Sequence, residues 1–228
     1  MPTRLSKAEW TPASKKATRS RSSRQYTEDK GGSSTKIVAL TWDDIHSSLL
    51  ALANKISESN FNPEMIVGIA RGGWVVARIL SDLLDVSDLA SLKIEFYKSI
   101  GEKERKPRIA QPVSESPAGK VVLIADDVAD TGESLILAKE HITSQGAREA
   151  RLATIHYKPW SKIKPDYYTS VTDAWIIYPW EIRETIEHLI KIWREETKDP
   201  LELRSRLAST GIPLELIDRY FYHKNSQR

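Results

Sequence analysis

Cysteine is absent from the 228 residues, which excludes a disulfide framework, a thiolate metal site and a cysteine nucleophile. Long apolar runs are missing as well. The opening residues MPTRLSKAEW lack the apolar stretch of a secretory signal, and the longest apolar runs, such as Val121 to Ala125, fall far short of a bilayer span. A soluble, cytoplasmic protein with no membrane partner is expected. His46, His141, His156, His188 and His223 show no ligand spacing, so no zinc site is expected and each is assigned to the surface or the core. Neither a G-x-x-x-x-G-K-[ST] loop nor a Rossmann glycine pattern occurs.

What is present suffices for one folded domain, since 40% of the residues are hydrophobic. Charge is unevenly spread. Residues 1 to 36 carry nine Lys or Arg against three Asp or Glu, so the net +3 of the chain conceals an acidic remainder. Residues 1 to 35, rich in Ser, Thr, Lys and Arg, have too little apolar surface to offset the entropy of ordering. They are expected to be a disordered basic tail ahead of a domain spanning 36 to 228. The acidic domain, and a tail without a helix-turn-helix pattern, argue against nucleic acid as a partner.

Along the domain, helical and strand patterns alternate. Thr41 and Asp44 form a capping-box pattern, and Ile45, Leu49, Leu52 and Ile56 follow at helical spacing, predicting a helix over 42–57. Met65 to Ala70 reads as a strand closed by Arg71, Gly72 and Gly73, with a helix from Trp74 to Leu84. Leu92, Ile94 and Phe96 alternate with polar residues as a further strand. Residues 98 to 120, charged and interrupted by proline and glycine, read as a long mobile loop. The apolar run Val121 to Ala125 suits a strand buried on both faces of a parallel sheet. A helix over Glu133 to Gln145, with Gly146 at its cap, comes next, then strands over 150–157 and 171–177 and an amphipathic helix from Glu181 to Glu196. Pro200 and Pro213 open two short C-terminal helices. The order implies an α/β fold around a mainly parallel sheet flanked by helices.

The chemistry concentrates in Asp126-Asp127-Val128-Ala129-Asp130-Thr131-Gly132-Glu133-Ser134, placed at the carboxyl end of the buried strand, where open α/β sheets bind ligands. The helix that follows offers unpaired N–H groups to an anion, so Asp130 to Ser134 suit a phosphate. Three aspartates beside a phosphate repel it unless hydroxyls or a cation intervene. A ribose with free hydroxyls and a Mg²⁺ that keeps several of its waters provide both, with Asp126 and Asp127 accepting from hydroxyls or from metal-bound water.

The run ADDVADTGES resembles the phosphoribosyl pyrophosphate (PRPP) motif of type I phosphoribosyltransferases. The resemblance implies that Asp126 and Asp127 face the ribose hydroxyls and that Asp130, Thr131, Gly132, Glu133 and Ser134 cradle the 5-phosphate. Arg71, Gly72 and Gly73 resemble the family's pyrophosphate loop, and 98–120 matches its flexible catalytic loop, with Tyr97, Lys98 and Ser99 as candidate hinge or pyrophosphate contacts. Tyr157-Lys158-Pro159 and Trp175-Ile176-Ile177-Tyr178-Pro179-Trp180-Glu181 resemble the base-binding region of xanthine-guanine phosphoribosyltransferases, set in a small hood over the sheet. By that resemblance Trp175 stacks on a purine, the backbone near Ile176 meets its ring edge, Lys158 donates to its 6-oxo group and Glu181 sits near its 2-substituent.

The implied activity is transfer of ribose 5-phosphate from PRPP to a 6-oxopurine, with Mg²⁺ as cofactor, Asp130 as proton acceptor and a homodimer or homotetramer as the assembly. The resemblance covers roughly residues 37 to 185 and leaves the C-terminal helices unexplained. Two alternatives share the fold: a phosphoribosyltransferase for another base, and a non-catalytic regulator that senses PRPP or a nucleotide.

Overall fold

The computed structural model describes residues 25–30, 33–97 and 106–223, with side chains from 36 to 221. Strand β1 (Gln25–Lys30) pairs antiparallel with β2 (Ser33–Ala39). Six residues of β1 and the start of β2 thus fall inside the segment expected to be a disordered tail. They are ordered by pairing, because β2 is tied further into the fold; residues 1–24 lie outside the described residues.

Helix α1 (Trp42–Glu58) begins at the anticipated capping box: the Asp44 amide donates to Thr41 Oγ1 at 3.1 Å and the Thr41 amide to Asp44 Oδ2 at 2.8 Å. Next come β3 (Met65–Ala70), α2 (Gly72–Leu83), β4 (Leu89–Tyr97) and β5 (Lys106–Gln111). The expected long loop over 98–120 therefore contains a strand. Its proline and charges are admissible because β5 is the sheet's edge, antiparallel to β4, with part of its surface in solvent. Residues 98–105, including Lys98 and Ser99, lie outside the described residues.

Strand β6 (Val121–Ala129) runs four residues past Ala125, carrying Asp126 and Asp127 inside the strand, and is followed by α3 (Glu133–Ser144) and β7 (Glu149–Tyr157). The single strand anticipated over 171–177 is two, β8 (Tyr167–Val171) and β9 (Trp175–Ile177). A turn divides them, in which the Ala174 amide donates to Thr172 Oγ1 at 3.1 Å. The chain there leaves one sheet for another. Three helices close it: α4 (Ile182–Trp193), α5 (Pro200–Ser209) and α6 (Leu214–His223).

The main sheet has the order β5-β4-β3-β6-β7-β8, parallel except for β5. Alternate side chains of its strands enter two different cores. Ile66, Leu123, Ala153 and Ile155 join Leu49, Leu52, Val76 and Leu80 of α1 and α2, whereas Val67, Val122, Ile124 and Leu152 join Leu135, Ala138 and Ile142 of α3. Burial on both faces is why Val121 to Ala125 is apolar without alternation. A second, three-stranded sheet, β1-β2-β9, forms the hood, and Ile37 and Ile177 from it share a third core with Trp193, Leu203, Leu207, Ile217 and Phe221 of the terminal helices.

Candidate active site

Strand order reverses between β3 and β6. From β3 the chain moves outward to β4, and from β6 it moves the opposite way to β7, which opens a crevice at the carboxyl ends of the two middle strands. The loop after β3 and the loop after β6 flank that crevice. The approach of the first turn of α2 to the end of β6 requires glycine. A Cβ on Gly73 would overlap the Ala125 carbonyl oxygen and fall 2.8 Å from Asp126 Cα, and one on Gly72 would overlap the Asp127 carboxylate. The Ala70–Arg71 peptide between them and β3 is cis. The Arg71 guanidinium donates to Glu184 Oε2 of α4 at 2.5 Å.

On the β6 side, the Asp127 amide donates to Asp126 Oδ1 at 3.0 Å and the Trp180 indole N–H to Asp127 Oδ2 at 3.1 Å. Burial and the adjacent Asp127 carboxylate push the Asp126 pKa well up. Burial raises Asp127 as well, opposed by the Trp180 N–H and the Val128 amide. The Tyr178 hydroxyl donates to the Asp127 carbonyl at 3.1 Å and lies 2.7 Å from His156 Nδ1, an arrangement satisfied when Nδ1 carries the ring proton. Burial, with the nearby Lys158 charge, lowers the His156 pKa to about 4 and keeps the ring neutral.

Asp130 to Ser134 lead into the N-terminus of α3. Gly132 caps that helix at φ 81°, a conformation open to glycine, and a Cβ there would also fall 2.6 Å from Ser161 Oγ. The loop that follows β7 braces this turn: the Lys162 amide donates to the Thr131 carbonyl at 2.9 Å, and Lys162 Nζ to Glu133 Oε1 at 2.5 Å. The Glu133 amide at the start of α3 donates to Thr131 Oγ1 at 3.4 Å.

Beside the carboxylates lies a cavity of about 460 Å³, lined by Asp127, Val128, Asp130, Lys158, Trp160, Asp173, Trp175, Ile176, Tyr178 and Glu181. Lys158 is 6% exposed and its ammonium donates to the Ala174 carbonyl. Burial lowers its pKa, opposed by Asp130 and Asp173. Trp175 is 39% exposed, with its ring 5.4 Å from that of His188. Burial pushes Glu181 up to about 7, and its Oε1 accepts from the Tyr178 amide at 3.2 Å. Among the described residues, no three His, Asp or Glu side chains converge as metal ligands, and no helix is long and apolar enough to cross a membrane.

The structure brings Asp127, Asp130, Lys158, Trp175 and Ile176 to one cavity and sets Gly72 and Gly73 against Asp126 and Asp127. It also brings in residues to which the sequence assigned no individual role in the site. Tyr178 and Trp180 hold Asp127, and His156 holds Tyr178. Trp160 and Asp173 line the cavity, and Glu184 engages Arg71. For Trp160 the available signal was its place directly after Lys158-Pro159.

Fold and site together define a class: a switch-point α/β protein whose strand-end crevice, edged by Asp126 and Asp127, lies beside a cavity walled in part by Trp160, Trp175 and Tyr178. A model of the phosphoribosyl transferase domain matches residues 41–185. The chain belongs to the phosphoribosyltransferase family. It is 31% identical over 150 residues to a xanthine-guanine phosphoribosyltransferase of Cereibacter sphaeroides, covering 63% of this chain and 86% of that one. A second xanthine-guanine phosphoribosyltransferase, from a Ruegeria species, is 29% identical over 153 residues, covering 63% of this chain and 84% of the other. Among solved structures, a purine phosphoribosyltransferase from Pyrococcus horikoshii superposes with a TM-score of 0.57 at 39% identity, over 63% of this chain and 92% of that one.

Proposed function

We propose that this protein transfers ribose 5-phosphate from PRPP to a 6-oxopurine, releasing pyrophosphate, in purine salvage. The observation that carries the reading is the convergence of Asp127 and Asp130 with buried Lys158 and the Trp175 ring on one cavity beside the switch-point crevice. Asp126 and Asp127 accept from the ribose hydroxyls, and the amides from Asp130 to Ser134 hold the 5-phosphate. Arg71, Gly72 and Gly73 take the pyrophosphate. The base stacks on Trp175 with its ring edge at Ile176, and Lys158 donates to the 6-oxo group.

As a ring nitrogen attacks C1 of the ribose, pyrophosphate departs through an oxocarbenium-like transition state. The carboxylates face the developing positive charge, and Asp130 accepts the proton that the base nitrogen sheds. Asp126 and Asp127 suit a Mg²⁺ held through water: both are hard oxygen donors, and their pKa values are raised where no cation offsets their burial. When bound, the ion neutralises pyrophosphate charge. A cytoplasmic homodimer or homotetramer belongs to the same reading, and sedimentation of the full chain tests the assembly.

The deciding experiment incubates the protein with PRPP and Mg²⁺ and each of guanine, hypoxanthine, xanthine, adenine and uracil, following pyrophosphate release. Turnover with the 6-oxopurines alone is the expected result. Turnover with adenine or uracil would reassign the base, and PRPP binding without turnover would favour the regulator.

A further inference from the structure

Lys158, Pro159, Trp160 and Ser161 form a tight turn closed by the Ser161 amide donating to the Lys158 carbonyl at 3.0 Å. Proline at its second position pre-sets the backbone for such a turn. The turn is stitched to the phosphate loop, because the Lys158 amide donates to the Ala129 carbonyl at 3.0 Å and the Lys162 amide to the Thr131 carbonyl at 2.9 Å. Trp160, on this turn, lines the cavity. Its indole N–H donates to Asp130 Oδ1 at 3.0 Å, and its ring lies with the Lys158 ammonium 5.4 Å from the centroid.

An indole that is 55% exposed, on a turn, is not placed there by core packing. It touches the two groups that the proposed reaction uses to handle the base, one through each of its chemical features: the N–H on the carboxylate and the π face on the ammonium. Resting on the transferase reading, we infer that Trp160 is a positioning residue that fixes one oxygen of Asp130, leaving the other directed at the base, and that its ring forms a second wall of the base cavity besides Trp175. The indole N–H stays on Asp130 throughout the reaction. No proton passes through it, since indole is a donor only.

The N–H and the ring are separable by substitution. Trp160→Phe keeps a ring and removes the donor, whereas Trp160→Ala removes both. In the pyrophosphate-release assay on the full chain, Trp160→Phe should lower kcat about tenfold, the scale of one hydrogen bond to a charged group, with KM for PRPP and base within about twofold. Trp160→Ala should lower kcat to the same extent and also raise KM for the base. In a background of Asp130→Asn, Trp160→Phe should cost nothing further, because the group it orients is gone. An unchanged kcat in Trp160→Phe overturns the inference, as does a full, additive loss in the double variant. If the wild-type protein turns over no base, the transferase reading fails and takes the inference with it. If the wild type is active and Trp160→Phe is its equal, the inference alone falls.

Discussion

A lysine ammonium offers three N–H donors and accepts nothing. Held in the cavity wall with one donor on the Ala174 carbonyl, Lys158 suits a 6-oxo acceptor and opposes the 6-amino group of adenine. Lys158→Ala should therefore erode the preference for guanine or hypoxanthine over adenine, a preference that can reach about 10⁴ to 10⁵ when a buried polar group is left unpaired. Trp175→Ala should weaken all bases alike, by about 1–3 kcal/mol, because stacking is indifferent to ring substituents. Competition between bases in a single assay checks both, and unchanged selectivity in the Lys158 variant would remove it from base choice. For Asp130→Asn the loop amides stay in place, and under the proposed reaction only the proton acceptor is lost. Turnover should fall by about 10² or more with KM for PRPP little changed, and steady-state kinetics that leave kcat intact would dismiss Asp130 from catalysis.

At the scale of elements, the close contact between the start of α2 and β6 makes Gly73→Ala a sharp probe. The new methyl would meet the backbone of Ala125 and Asp126, which cannot rotate aside. A stability loss of about 1–3 kcal/mol is expected, together with weaker PRPP binding, readable by thermal melting and by KM. A variant with wild-type melting and KM would show that α2 and β6 are not packed as described. Elements whose reason for existing is local were legible in the sequence: α1 from its capping box, β6 from its unbroken apolar run, α5 from Pro200 at its start. Those made by partners were not. In β1, Gln25–Lys30, polar residues prevail at nearly every position, and what orders it is pairing with β2. Strand β2 in turn pairs parallel with β9, with Ile37 opposite Trp175. Likewise the PRPP motif could be placed from its own residues, whereas the Tyr178 and Trp180 contacts to Asp127 join positions about 50 apart and follow only from the fold.

For the molecule as a whole, His156 couples the site to acid stability. Its folded pKa, about 4, lies below the ordinary 6.5, so the native state binds fewer protons than the unfolded chain between these values. Its contribution is fully present above pH 6.5 and is lost as pH falls toward 4, to a total of up to about 3 kcal/mol. His156→Asn, which can still face the Tyr178 hydroxyl but cannot charge, should flatten that part of the melting-temperature profile. An identical slope in wild type and variant would show that His156 does not titrate in this window.

The parallel pairing of β2 with β9 brings Ile37 beside Trp175 across about 140 intervening residues. During synthesis at ~5–20 residues per second, β2 leaves the ribosome roughly 7–30 s before its partner exists. Every strand of the main sheet is complete by Val171, while the hood still awaits β9 and the helices whose Trp193, Leu203 and Leu207 pack beneath it. The crevice between β3 and β6 is thus built from the middle of the chain, and the wall carrying Trp175 and Ile176 is closed by its last quarter. On the nascent chain, the crevice at the strand ends precedes the wall that completes the cavity beside it.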